Sequence, residues 1–130
     1  MDGLNGAARA LIRAKNVPDA LDAEFSAAYP LVAQGERGVI GVGCLDGSEI
    51  KRVYVDPGAQ GSGAGKALME ALEREAARRG IREVTVDSSS SAQRFYARLG
   101  YQTVEPLSFK RGDAEFQFTR MVKRLRTQAD

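Results

Sequence analysis

Residues 53–68 read as a strand, a sharp turn, a glycine-rich loop and a helix, and this stretch constrains the rest of the chain most. The β-branched and aromatic run at residues 53–55 favours an extended backbone. Asp-Pro-Gly at residues 56–58 ends the strand, because proline disfavours helical dihedral angles at the residue before it. After the loop, apolar residues recur at three- and four-residue spacing, which predicts an amphipathic helix. These residues are Ala64, Ala67, Leu68, Ala71, Leu72 and Ala76.

Three glycines, Gly61, Gly63 and Gly65, immediately precede Lys66 in this loop. Without side chains in the way, the backbone amides can turn inward around a small anion. The N-terminus of the helix adds a partial positive charge of about half a unit. The pattern therefore predicts a cradle for phosphate or pyrophosphate. The alternative is a plain strand-to-helix connection that uses glycine for a tight turn.

Two common phosphate-binding motifs do not fit the loop. A P-loop needs glycine and Ser or Thr at the positions that Gln60 and Ala67 occupy. A dinucleotide fingerprint needs a glycine where Lys66 stands. What fits is Gln60-x-x-Gly63-x-Gly65 after a Val-Tyr-Val-Asp-Pro strand end. This pattern resembles the acetyl-coenzyme A signature of the GCN5-related N-acetyltransferase (GNAT) family.

A second stretch, residues 89–101, reads Ser-x-x-Ala-x-x-Phe-Tyr-Ala-Arg-Leu-Gly-Tyr and is similar to a later motif of the same family. The two motifs stand in the family's order, and the resemblance covers residues 39–123. Tyr96 lies in this second motif, and its alternative role is a half-buried core aromatic. The glycine loop upstream favours the family interpretation.

The resemblance implies an α/β (α+β) fold in a single domain over residues 1–130. Its mixed, mostly antiparallel sheet is splayed between two parallel central strands, with helices on both faces. Acetyl-CoA is the implied co-substrate and lies in the split, where strand backbone meets its pantetheine and loop amides hold its pyrophosphate. Ser89 replaces an asparagine that contacts the cofactor in many relatives, and a serine reaches less far. The residues implied in cofactor binding are Val53, Tyr54, Val55, Gln60, Gly61, Ser62, Gly63, Ala64, Gly65, Lys66, Ala67, Ser89 and Ala92.

The chemistry of amine acetylation suggests further site residues. An amine attacks a thioester only when unprotonated, so a carboxylate, acting directly or through water, must take its proton. Glu49 resembles in position a catalytic glutamate of some family members, and its alternative is an exposed residue after a hairpin turn. The Tyr96 hydroxyl would protonate the leaving thiolate, and the Val55 amide would meet the charge on the thioester oxygen. Transfer would be direct, in a ternary complex with the amine acceptor.

Composition narrows the alternatives. The 130 residues include no histidine, which removes Ser-His and Cys-His catalytic pairs and the commonest metal ligand, and no metal is expected. A net charge of +2 gives no strong field for nucleic acid or membrane partners. Neither a leader nor an apolar run of spanning length is apparent, so a cytoplasmic protein is expected. Cys44, the single cysteine, is expected to be a small core residue.

The flanking sequence predicts elements around this centre. Glu75 and Arg79 form an acid-before-base pair on the long helix, and Gly80 is its stop. Residues 106–115 are predicted to be a loop, and residues 123–126 a solvated basic end. The other predicted elements are helices at residues 4–15 and 18–28, strands at residues 31–33, 39–45, 50–55, 81–87, 101–104 and 116–121, and a helix capped by the serines at residues 88–91.

The predicted N-terminus departs from the family, whose members usually begin with a strand ahead of the first helix. No β-favouring run precedes Leu4. Either that strand is absent, leaving a sheet edge that a partner in a homodimer would cover, or the chain starts late. Because the first helices help to build the family's acceptor pocket, the sequence does not identify the amine.

Two other classes of function stay open. The chain could bind acyl-CoA, or a partner protein, as a regulatory module without turnover. It could also be a nucleotide-dependent switch, although the loop fails the P-loop pattern. Substitution of Tyr96 separates the first from the enzyme, and magnesium-dependent ATP binding would support the second.

Overall fold

The computed structural model describes residues 11–14, 28–36 and 38–126, and within them seven strands form one sheet in the order β1-β2-β3-β4-β5-β7-β6. All neighbouring strands are antiparallel except β4 and β5, which are parallel. The fold is therefore the mixed, mostly antiparallel α/β arrangement expected. The elements are β1 (Leu11–Ala14), β2 (Tyr29–Gly35), β3 (Gly38–Asp46), β4 (Glu49–Val55), α1 (Ala64–Arg78), β5 (Glu83–Ser88), α2 (Gln93–Arg98), β6 (Gln102–Arg111) and β7 (Ala114–Arg124).

The first described strand corrects the prediction for the N-terminal region. β1 lies inside the stretch predicted as a helix at residues 4–15, and it pairs with β2, with Leu11 opposite Gln34 and Ala14 opposite Leu31. Of the two alternatives left open, the absence of a first strand is wrong for this edge, because β1 covers the edge of β2 that a partner subunit would otherwise have covered. Apolar spacing alone predicted a helix, whereas pairing with a neighbouring strand decides the conformation. Of the second predicted helix, residues 18–27 lie outside the described residues.

Helix α1 packs on one face of the sheet through a row of fully buried side chains. Two glycines of β3 allow it to lie close to the strands. A Cβ at Gly41 would stand 3.0 Å from Leu68 Cδ1 and 3.1 Å from the Tyr54 carbonyl oxygen, and one at Gly43 would stand 3.2 Å from Leu72 Cδ1. The helix ends as predicted, with Gly80 at a φ of 81°. The buried residues of α1 are Ala64, Leu68, Met69, Leu72 and Ala76.

The two parallel strands are joined at their N-terminal ends and separate from there. Among the described residues, Glu49 opposite Thr85 is the one paired position of β4 and β5, and the Thr85 N–H donates to the Ser48 carbonyl oxygen at 3.0 Å. A bulge in β4 adds to the separation, because Arg52 has a φ of 59°, a conformation uncommon for a residue with a side chain. The sheet therefore opens as a cleft toward Val55 and Ser88.

The C-terminal third differs from the predicted loop and tail. β6 and β7 form a long hairpin that turns at Gly112, so residues 106–111 and 114–115 are strand and the loop prediction was wrong. The basic tail is not simply solvated, because Lys123 belongs to β7 and Leu125 is buried. The polar residues suggested a loop, but the facing backbone N–H and C=O groups of each strand are satisfied by hydrogen bonds to the other strand of the hairpin.

The serine run before α2 does not cap by side chain as predicted. Ser89 precedes a single 3-10 turn, Ser90–Ala92, and its Oγ lies 3.2 Å from Ser91 Oγ instead of accepting from a helix amide. Neither described helix is long and apolar enough to cross a membrane.

Candidate active site

A cavity of about 570 Å³ lies where the end of β4, the start of α1 and α2 meet. It is formed by most of the residues predicted to hold the cofactor, together with four that the sequence interpretation missed. Its lining residues are Val53, Val55, Ala59, Gln60, Gly61, Gly63, Gly65, Lys66, Ser91, Ala92, Phe95, Tyr96 and Arg98.

The loop at the start of α1 leaves main-chain amides free. The Ala67 N–H donates to the Gly63 carbonyl oxygen at 2.9 Å, which is the first hydrogen bond of the helix. Among the described groups none accepts a hydrogen bond from the N–H of Gly61, Gly63, Gly65 or Lys66, and all four residues line the cavity. Four free amides beside a helix N-terminus, with a lysine among them, suit an anionic phosphate.

The glycines are required by the backbone and by close packing. Gly61 and Gly63 have φ values of 84° and 94°, in the left-handed region that favours glycine. A Cβ at Gly65 would stand 3.1 Å from Phe95 Cζ on α2. Larger side chains would therefore strain the loop at two positions and crowd the cavity wall at the third.

The end of β4 presents its main chain to the cleft. The Asp56 N–H donates to the Ile40 carbonyl oxygen at 2.8 Å, and Val55 lies opposite Gly41 on β3. Because hydrogen-bonded and non-hydrogen-bonded positions alternate in an antiparallel pair, the N–H and C=O of Val55 point away from β3 and toward the split. The Gln60 side-chain amide donates to that carbonyl at 3.3 Å, so the loop is held to the end of the strand by a local hydrogen bond.

Tyr96 is buried near the end of α2, with 8% of its surface exposed. Its ring packs edge-on against Phe95, with centroids 5.1 Å apart, and against Tyr101 at 5.7 Å. Burial raises the pKa of the Tyr96 phenol above its ordinary value, so the hydroxyl keeps its proton at neutral pH. A neutral phenol in a cleft is a proton donor.

A second cavity of about 220 Å³ lies on the other side of Tyr96. It shares Val53, Ala92 and Tyr96 with the larger cavity, so the two cavities adjoin at these three residues. In its wall Asp87 accepts two hydrogen bonds from Arg120, at 3.0 and 3.3 Å, and this pairing raises the pKa of the guanidinium. The other lining residues are Ile50, Lys51, Arg52, Ser89 and Phe118.

Several predicted site residues lie away from the larger cavity. The Tyr54 side chain is 58% exposed. Ser62 and Ala64 are buried, and the Ser62 Oγ accepts a hydrogen bond from the Ala64 N–H at 3.3 Å, which makes this serine a local cap. Ser89 lines the smaller cavity, and Ala67 lines neither. For these residues a direct cofactor contact by the side chain stays a prediction.

Glu49 is not brought beside Tyr96. It lies where β4 and β5 are still paired, at the closed end of the cleft, and lines neither cavity. Glu49 lies opposite Thr85, and residues two apart on a strand share a face, so Glu49 lies on the side of the sheet where Asp87 lies. A proton could travel from the smaller cavity to Glu49 only through intervening groups or water.

Four lining residues were missed by the sequence interpretation: Ala59, Ser91, Phe95 and Arg98. Ser91, Phe95 and Arg98 stand four and seven positions apart, which is the spacing of one helical face. Ala92 and Tyr96, which the sequence interpretation had already selected, have the same four-residue spacing and stand next to Ser91 and Phe95. That helical spacing was the available signal for the three missed residues. Ala59 gives no comparable signal.

A more open groove of about 900 Å³ runs between α1 and the end of β7. Glu73 on α1 links the two sides of the groove, because its carboxylate accepts hydrogen bonds from the Tyr101 hydroxyl and from Lys123 Nζ, each at 2.8 Å. Burial and the Glu73 carboxylate raise the pKa of Tyr101. The groove lacks free loop amides, so the smaller cavities at Tyr96 are better candidates for chemistry.

A sheet split between parallel strands, with free amides at one side and a buried phenol in the split, defines the class: an α/β protein whose cleft has a shape and a set of amides that suit an extended, anionic ligand. A family model described as "Acetyltransferase (GNAT) domain" matches residues 5–125. The chain belongs to the GNAT acetyltransferase family.

Relatives agree with this assignment. Over 50 residues the chain is 46% identical to Histone acetyltransferase TAP1 of Glycine max, a match covering 38% of this chain and 22% of that protein. A GCN5-related N-acetyltransferase structure from Rhodopseudomonas palustris gives a TM-score of 0.76 at 31% identity, covering 82% of this chain and 71% of that one. A phosphinothricin acetyltransferase from Sinorhizobium meliloti, in complex with AcCoA, gives 0.65 at 25% identity, covering 79% and 64%.

Proposed function

We propose that the chain is an N-acetyltransferase that moves an acetyl group from acetyl-CoA to a primary amine by direct attack. The observation that carries this proposal is the meeting of two cavities at Tyr96. One has four free loop amides, and the other is lined by Asp87, whose carboxylate is paired with Arg120. The acetyl-CoA complex of the Sinorhizobium meliloti relative supports the co-substrate.

The larger cavity is the place for acetyl-CoA in this proposal. Gly61, Gly63, Gly65 and Lys66 donate main-chain hydrogen bonds to its diphosphate, and the exposed main chain of Val55 pairs with the pantetheine. Lys66 adds a full positive charge at the same place. The thioester that acetyl-CoA supplies then lies toward the Tyr96 end of the cavity.

The transfer needs one bond to form and one to break. The amine nitrogen forms a bond to the acetyl carbon, the carbon–sulfur bond breaks, and the amine loses one proton. Tyr96 gives its phenolic proton to the departing thiolate and regains one from solvent. The Val55 N–H, which points into the split, stabilises the negative charge that develops on the carbonyl oxygen.

The base that takes the amine proton is water in the smaller cavity, with Glu49 as its eventual acceptor. Glu49 stands too far along the sheet to line that cavity, so direct proton abstraction does not fit its position. Replacement of Glu49 by glutamine should therefore lower the rate modestly and change its pH dependence little.

The decisive experiment compares wild type with Tyr96→Phe. Acetyl-CoA should raise the melting temperature of both, since the phenol hydroxyl is not required for diphosphate binding. Thiol release with an amine acceptor should fall by about 10²-fold or more in the variant, as expected for loss of a general acid. Equal turnover by the two proteins would contradict the role of Tyr96.

A binding module without turnover is the second candidate, because the larger cavity with its free loop amides could bind acyl-CoA without catalysing a reaction. It predicts the same thermal shift with acetyl-CoA but no thiol release across free amino acids, polyamines, aminoglycosides and peptide N-termini. The same screen would identify the acceptor of the enzyme.

A further inference from the structure

One face of the β6–β7 hairpin carries a row of apolar side chains. Leu107 lies opposite Phe118, and Phe109 lies opposite Phe116. We call these four residues the apolar stripe. The Phe109 and Phe118 rings pack edge-on with centroids 5.6 Å apart, yet Phe109 is 50% and Phe116 48% exposed. Two half-exposed rings therefore lie side by side on this surface.

The opposite face of the same hairpin is polar, so the apolar side chains of the stripe are confined to one face of it. Ser108 and Glu115 lie diagonally across the hairpin from each other on this polar face, and the Ser108 hydroxyl donates to Glu115 Oε2 at 2.6 Å. Lys110 and Gln117 belong to this polar face as well, because side chains alternate along a strand.

The stripe begins inside the proposed site. Phe118 lines the smaller cavity together with Tyr96 and Asp87, and the stripe leads from Phe118 outward to Phe116 and Phe109. At about 220 Å³ this cavity is smaller than the roughly 300–1,000 Å³ of sites that enclose a whole drug-sized ligand. It can hold the amine end of an acceptor, while the rest of a larger acceptor must lie outside.

Charged groups in the cavity wall leave recognition of that remainder to apolar contact. Asp87 is paired with Arg120, and Lys51 Nζ lies 2.8 Å from Asp46 Oδ2. Neither pair offers an uncompensated charge to an acceptor carboxylate or phosphate. Arg52, the third charged residue of this wall, is engaged in an interaction of its own.

We propose that the apolar stripe binds the body of the acceptor, which makes the substrate class a primary amine attached to an aromatic or long aliphatic group. This inference rests on the proposed function and specifies its acceptor. The amine enters the smaller cavity beside Tyr96, and the apolar group lies across Phe118, Phe109 and Phe116.

A second copy of the chain fits the stripe less well. Two half-exposed phenylalanine rings present about 200 Å² of surface, whereas a stable interface takes about 800 Å² from each partner. Pro106 lies within β6 at the edge of the sheet and has no N–H to donate, which interrupts pairing with another strand along that edge. A patch of this size matches one apolar group.

The test measures kcat/KM at saturating acetyl-CoA for propylamine, hexylamine and 2-phenylethylamine. We expect wild type to prefer the two larger amines to propylamine by about 10-fold or more, the effect of burying one ring or chain. The double variant Phe109→Ser with Phe116→Ser should lower the ratio of 2-phenylethylamine to propylamine by about 10-fold. The KM for acetyl-CoA reports that the coenzyme cavity is intact.

Val104→Ser is the matched control, because Val104 is 54% exposed on the same hairpin but lies outside the stripe. It should leave the ratio unchanged. A wild type that shows no preference, or a double variant that keeps the wild-type ratio, overturns the inference alone. Dimeric wild type, monomeric double variant and an unchanged ratio would assign the stripe to self-association instead. Failure of every amine to accept the acetyl group would overturn the proposed function, and the inference with it.

Discussion

The pKa of a buried tyrosine in this protein depends on whether its hydroxyl lies beside a charged group or among apolar rings. Tyr96 and Tyr101 are both buried tyrosines and neighbours in space. The Tyr101 hydroxyl donates a hydrogen bond to the Glu73 carboxylate, whereas Tyr96 has no such partner among the described residues and burial alone raises its pKa. The phenol without a carboxylate partner is the one that faces the cleft, so its proton is available to a leaving group.

Glu75 illustrates a residue whose charge stabilises the fold. Arg78 and Arg79 each donate to it, and they lower its pKa from 4.5 to about 2. Because the pKa is lower in the folded state, this stability is present above pH 4.5 and is lost as the pH falls through about 2. Glu75→Gln should lower the free energy of unfolding by about 1 kcal/mol at pH 7, since the pair lies at the surface.

Urea unfolding at pH 7 and at the lowest pH where both proteins fold measures this effect. The difference between wild type and variant should shrink toward acid. A difference that is constant with pH would show that the charge of Glu75 is not its cause.

At the level of elements, the loop from β4 to α1 depends on backbone that side chains do not cover. Its free amides face the larger cavity because Gly61 and Gly63 adopt left-handed dihedral angles and Gly65 lies against Phe95. The bulge at Arg52 bends β4 itself away from β5 and leaves the split open.

Gly63→Leu should remove acetyl-CoA binding while the protein still folds, because a side chain at a φ of 94° displaces the loop. For wild type, acetyl-CoA at 100 times its dissociation constant contributes about 2.7 kcal/mol, or roughly 10 °C in melting temperature for a domain of this size. The variant should show no shift in the same thermal scan.

Gly58→Ala serves as the control for this loop. Its Cβ would meet Asp56 Oδ2 at 3.4 Å, an ordinary contact, and Gly58 is exposed outside the cavity lining. It should keep most of the wild-type shift. A Gly63→Leu protein with the full shift would contradict the cradle.

For the whole molecule, the distance between helix and sheet sets how far the loop amides lie from the end of β4. Gly41 and Gly43 let α1 approach β3, and the same helix carries the loop amides at its N-terminus. The distance between the loop and Val55 therefore depends on the packing of α1 against the sheet.

Gly41→Ala tests this packing. The new methyl would lie 3.0 Å from Leu68 Cδ1 and 3.1 Å from a backbone carbonyl oxygen, so the helix must shift. We expect a loss of about 1–3 kcal/mol in the free energy of unfolding by urea, together with weaker acetyl-CoA binding. Unchanged stability would mean that the sheet adapts without moving α1.

Local sequence was sufficient for the elements whose signal is repeated within a few residues. The strand at residues 53–55, the glycine loop, the helix from Ala64 and the stop at Gly80 follow from side-chain spacing and from dihedral preferences that act between neighbours. The predicted cofactor residues of the loop share that advantage, because contiguous residues stay together in any fold.

Only the tertiary structure decided what depends on distant partners. β1 is a strand because β2 lies beside it, the hairpin replaces a predicted loop because β6 and β7 satisfy each other, and Glu49 lies apart from Tyr96 because the sheet is still closed there. The meeting of the two cavities at Tyr96 also joins β4 to α2, which are far apart in sequence. Hydrogen bonds between strands and burial of side chains are energies of the whole fold, and no window of local sequence contains them.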